Sequence, residues 1–199
     1  MSNDLEQAPA VDVRPLLGQE RADLVAFLRT LTPADWDRRT AVPGWTVRDI
    51  ALHILGDDLG WLSRGRDGER SGRLDPRGDY RDFVHALGEK NQRFVDGLSA
   101  LSNRVLCGLI VWAGCEIDEY FAEMDLRAEG SVIWASDGPV PVWFDIAADL
   151  TERWVHQLQM REALNSVGDF EARYLPVVLR TFVWALPHQY RVWAPKGTT

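Results

Sequence analysis

"DLTERWVHQLQMREAL", residues 149–164, decides how the chain is read. Apolar residues recur at helical spacing through Trp143, Ala147, Leu150, Trp154 and Leu158, which predicts a helix over about 143–165. On that helix Asp149, Glu152, His156 and Gln159 stand at i, i+3, i+7 and i+10. They fall in one stripe roughly 80° wide. A polar stripe opposite an apolar one is what any amphipathic helix presents. This stripe, however, holds acceptors and an imidazole, with no Lys or long ion pair in it. Glu152 and His156 lie one turn apart, the spacing of two metal ligands and equally of a surface pair.

A second stretch, "PGWTVRDIALHILGDDLGW" over residues 43–61, works with the first. Thr46 followed by Asp49 has the pattern of a capping box, so a helix is expected from 47 to about 64. His53 sits on it just off the apolar face of Ile50, Ile54 and Trp61. Gly56 and Gly60 follow at i+3 and i+7, each costing about 1 kcal/mol against Ala in a helix. Bare backbone beside a His means close approach, by a neighbouring helix or by a ligand. Asp57, at i+4, can orient the imidazole or face water. Together, His53, Glu152 and His156 make a His₂Glu set. Such a set suits Zn²⁺ and leaves a fourth position for water or substrate. His85 and His188 are read as a surface or boundary residue and a helix-end residue.

The remaining pattern is helical. Helices are expected over 16–31, from Pro33 with Thr32 as N-cap, and over 79–99, 103–124 and 170–186. "RGRDGERSGRLDPRGD", residues 64–79, is read as a solvated surface loop of mixed charge. "SVIWAS", residues 131–136, reads as a strand or as extended loop. Long helices with few strand signals predict an all-α antiparallel helical bundle. Residues 1–13 read as a flexible lead-in, 14–188 as the bundle domain, and 189–199 as the start of a truncated or absent C-terminal domain.

Composition bounds the partners. The chain has 199 residues, 46% hydrophobic, with nine Trp and a net charge of −8. That charge argues against nucleic acid and against an anionic membrane. No secretory segment opens the chain, and "RVLCGLIVWAGCEI" is too short to span a bilayer. Cys107 and Cys115, about 12 Å apart along one helix, read as free thiols in a cytoplasmic protein. Exposed Trp can serve a homodimer as well as a pocket.

"VPGWTVRDIALHILGDD" resembles the N-terminal signature of the mycothiol-dependent maleylpyruvate isomerase family, a branch of the DinB-like metal-binding bundles. "DLTERWVHQLQMREAL" resembles that family's second signature. The resemblance spans roughly residues 15–190. It implies a divalent site, usually zinc, on His53, Glu152 and His156, with mycothiol as the thiol cofactor. It also implies thiol addition to a conjugated cis double bond of a maleylpyruvate-like acid, rotation, and departure of the thiol. Asp57, Asp149 and Gln159 are the candidate cofactor contacts. Many family members carry Asp where this chain has Gln159. The family's smaller C-terminal α/β domain, which supplies a cationic substrate contact, would begin where this chain ends.

The leading expectation is a metal-dependent enzyme that uses a small-molecule thiol on a small electrophile, as isomerase or as S-transferase. Set against it are a non-catalytic metal-binding bundle with a regulatory or stress role, and a metal-independent bundle with Glu152 and His156 as a surface pair.

Overall fold

The computed structural model describes residues 8–71, 74, 80–131 and 138–190. Among them the helices are α1 (Arg14–Thr30), α2 (Pro33–Trp36), α3 (Val47–Gly60), α4 (Tyr80–Gly97), α5 (Asn103–Glu123), α6 (Val142–Ala163), α7 (Phe170–Phe182) and α8 (Leu186–Tyr190). The described residues contain no strand, only isolated bridges between Arg39 and Thr46 and between Glu129 and Pro141. None of their helices is long and apolar enough to cross a membrane.

α1, α5, α3 and α6 close into a four-helix ring, each packing on two neighbours. α4 lies against α3, and α7 against α6. The ring is filled by Leu24 and Leu28 of α1, Ile50 and Ile54 of α3, Ile110 and Phe121 of α5, and Trp143, Phe144 and Leu150 of α6, all 1% exposed or less. Burying each such side chain contributes about 1.5–3 kcal/mol. This is the all-α helical bundle that the sequence predicts.

The start of α3 is fixed as its sequence predicts. Thr46 Oγ1 accepts from the Asp49 amide at 3.2 Å, and Asp49 Oδ2 accepts from the Thr46 amide at 2.8 Å. Two of the orphan amides at the helix start are thereby satisfied.

Three features differ from the sequence reading. Residues 8–13 are not loose: Ala8, Val11 and Val13 are buried, and Arg127 donates to the Ala8 carbonyl at 2.8 Å. Residues 1–7 of that lead-in lie outside the described residues. The helix carrying His53 also does not stop in a loop at residue 64. It continues as a π-helical turn over Trp61–Arg66, with the Asp67 amide bonding to the Leu62 carbonyl at 2.9 Å. Finally, α6 is buried almost all round, and it takes Arg153 and Gln157 into the interior. The extended stretch at 132–136 and the C-terminal extension from 191 onward lie outside the described residues.

Candidate functional site

Two helices far apart in sequence bring the two imidazoles together. His53 of α3 and His156 of α6 stand edge to face, ring centroids 4.7 Å apart at 89°. Trp45, just ahead of α3, closes the other side of His53 with its ring centroid 5.1 Å away. His53 is buried. Desolvation, and then repulsion from His156, lowers its pKa to about 3. It is therefore a neutral imidazole at physiological pH, the form that offers a lone pair.

Each imidazole has a carboxylate one turn away on its own helix. Asp57 Oδ2 lies 3.3 Å from His53 Nε2, and Glu152 Oε2 lies 3.6 Å from His156 Nε2. Asp57 sits in a concave pocket ringed by protein. Desolvation there, joined by Asp149, Glu152 and Asp58, pushes its pKa well above the carboxylate range. Gln159 takes part through His156: its amide oxygen faces His156 Nδ1 at 2.9 Å. An amide oxygen only accepts, so this contact favours a proton on Nδ1 and directs Nε2 to the other side of the ring. Gln159 thus orients the imidazole without bringing a charge.

Beside the imidazoles opens a cavity of about 560 Å³. His53, Asp57, Trp61, Asp149 and Glu152 line one wall, while Phe83, Leu87 and Lys90 of α4 line the other, with Arg64 from the π-helical turn. Asp149 is already engaged, accepting from Trp61 Nε1 at 2.9 Å and paired with Arg153 at 2.7 Å. Behind it lies a buried charge network. Arg153 also faces Asp58 at 3.2 Å and Glu20 at 3.8 Å, and Arg21 pairs with Asp58 at 2.7 Å. Desolvation raises the pKa of Asp149 against the pull of Arg153.

The two helix glycines have different explanations. Phe94 of α4 packs on Gly56, with a ring carbon 2.9 Å from where a β-carbon would stand. Gly56 is thus a close helix approach. The Arg64 guanidinium folds over Gly60.

The structure therefore brings His53, His156, Glu152 and Asp57 to one place, with Asp149 on the same cavity wall. His85 is exposed near Glu89. Cys107 and Cys115 are both free, the first buried and the second exposed. Among the described residues no group of three or more His, Cys, Asp or Glu closes to metal-holding distances. The donor chemistry nonetheless suits a divalent ion: a neutral buried imidazole, a second that Gln159 orients, and two carboxylates one turn away. Sequence reasoning missed Arg153, Trp61, Arg64 and Lys90. A guanidinium on the buried side of α6 carries no periodic signal, and Arg64 lies in a stretch without apolar residues.

Residues 17–161 match the family model described as mycothiol maleylpyruvate isomerase N-terminal domain. The chain belongs to that family. The match takes in His53, Glu152 and His156 and all but the outer ends of α1 and α6 among the four helices of the ring. The fold is similar to a crystal structure of a mutant of the mycothiol-dependent maleylpyruvate isomerase. The TM-score is 0.50 and the identity 17%, over 80% of this chain and 63% of that one. This chain thus spans 63% of the length of that relative. No curated protein matches the chain.

Proposed function

We propose that the cavity beside His53 and His156 is the reaction site of a thiol-dependent enzyme. In this reading a small-molecule thiol of the mycothiol type acts on a small conjugated electrophile, in an isomerisation of the maleylpyruvate kind. The observation that carries it is the meeting of His53 and His156 from opposite parts of the chain at the head of a large pocket. Membership of the family supports the choice of thiol.

His53, Glu152 and His156 would hold a divalent ion, zinc by preference. When bound, such an ion supplies Lewis acidity that makes a thiolate available near neutral pH. The chain's own residues prepare that chemistry. Burial keeps His53 neutral, Gln159 orients His156, and Trp45 keeps water from the far face of His53. Asp57, held toward its protonated form, can give or take a proton at the cavity wall.

The test is metal content of protein purified without chelator, followed by cobalt substitution and titration with mycothiol. Cobalt absorption that shifts on adding mycothiol, with cis–trans conversion of a maleylpyruvate-type acid, is the expected result. Cobalt that binds but ignores the thiol returns the chain to the non-catalytic metal-binding reading. His53→Ala and His156→Ala are expected to abolish metal binding with helix content unchanged, and Glu152→Gln to weaken it.

A further inference from the structure

We propose that Arg64 and Lys90 form a carboxylate subsite in the same cavity, so that the electrophile handled there is an anion. This rests on the reading of the cavity as a reaction site given above. The cavity is two-sided. Its α3–α6 wall carries His53 and the carboxylates, and its other wall carries Arg64 and Lys90.

The cations stand out by comparison with their neighbours. Arg66, two residues on, is held by Asp67 at 2.8 Å and by Glu116. Arg153 and Arg21 are paired with carboxylates within the buried network. Among the described residues neither Arg64 nor Lys90 has an ion-pair or side-chain hydrogen-bond partner, although carboxylates line the same cavity. The two are close enough to oppose each other: desolvation lowers the Lys90 pKa, and repulsion from Arg64 lowers it further against the weaker pull of Asp57. Two like charges turned to one cavity, with no carboxylate of the described residues in direct contact with either, form a place that a ligand anion stabilises.

Gly60 is an independent sign. The Arg64 side chain lies back over Gly60, with its Cζ 3.0 Å and one terminal nitrogen 3.1 Å from where a β-carbon would stand. Any other residue at 60 would push the guanidinium away. The glycine and the π-helical turn together aim Arg64 back along α3 toward the pocket, and such turns recur at functional sites. A guanidinium fork and an ammonium on separate helices suit a carboxylate, which the fork can meet with two parallel bonds.

Calorimetric titration of the full chain with succinate, a saturated four-carbon dianion that cannot react with thiols, tests the assignment. Succinate is expected to bind the wild type. Arg64→Gln and Lys90→Gln are each expected to weaken it about tenfold to a hundredfold, while Arg29→Gln, remote from the cavity, leaves it unchanged. Uncharged succinamide is expected not to bind. Absent succinate binding, equal binding of succinamide or inorganic phosphate, or indifference to both variants overturns the proposal. The cobalt spectrum keeps the two readings apart. Succinate binding lost in Arg64→Gln supports the subsite even where cobalt ignores mycothiol, and a thiol-responsive centre beside a cavity that takes no succinate sinks the subsite alone.

Discussion

Arg153 and Asp58 meet at 3.2 Å across the α3–α6 interface. Arg153 adjoins Glu152 and Asp58 adjoins Asp57, so this buried contact sets the separation of the helices that carry the two imidazoles. The same guanidinium reaches Asp149 and, on α1, Glu20.

Arg153→Met is therefore expected to destabilise the bundle strongly. It leaves Asp149 and Glu20 with their principal cation removed inside the protein, and Asp58 with Arg21 alone. Breaking one side of a buried ion pair costs about 3–5 kcal/mol. Chemical denaturation measures this directly. A loss below about 1 kcal/mol would show that water or Arg21 replaces Arg153, as for exposed pairs.

Glu20 gives a pH prediction. It is fully buried, and desolvation raises its pKa above 4.5 despite Arg153 and Arg21. A raised folded pKa means that the folded state holds the proton more tightly. The stability this adds is fully present below the unfolded pKa and is lost as pH rises through the folded pKa. Glu20→Gln has no proton to lose and keeps a hydrogen-bonding side chain facing Gln157. Its stability relative to wild type is expected to improve between pH 4.5 and pH 7. Denaturation midpoints at the two pH values check the sign; a relative decline would show Glu20 held ionised by its arginines.

How much of this was legible in the sequence follows from what periodicity can see. The Thr46–Asp49 cap was legible because local spacing alone determines it, whereas the approach of His53 to His156 was expected only from the two motifs taken together. The packing of Ala8, Val11 and Val13 was not, because a short apolar run without a period has no local signature. Nor was the buried Arg153. Counting faces on α6 assumes that one side meets solvent, whereas α3, α1 and α7 all pack against it. The α3 helix was expected to about residue 64, but its change to a π-helical turn over Trp61–Arg66 was hidden by an Arg- and Gly-rich composition that ordinarily marks a loop.

Thr46→Ala tests the part that was legible. It removes the oxygen that accepts from the Asp49 amide at the start of the helix carrying His53. The expected loss is about 1 kcal/mol. Thermal denaturation reads it, and Thr46→Ser is expected to recover most of it because the hydroxyl is kept.

The two glycines of α3 should respond oppositely to alanine. At Gly56 the new β-carbon would stand 2.9 Å from the Phe94 ring, which is wedged between α4 and α3. Overpacking of that kind costs about 1–3 kcal/mol, exceeding the roughly 1 kcal/mol gained in helix propensity. At Gly60 the obstacle is the end of the flexible Arg64 side chain, which can swing away. Gly60→Ala should therefore hold or raise stability while displacing the guanidinium from the cavity, and succinate affinity should fall as in Arg64→Gln. Denaturation and calorimetry on both variants separate the cases. A Gly60→Ala protein that is stable and binds succinate as the wild type does would mean that Arg64 needs no glycine beneath it to reach the ligand.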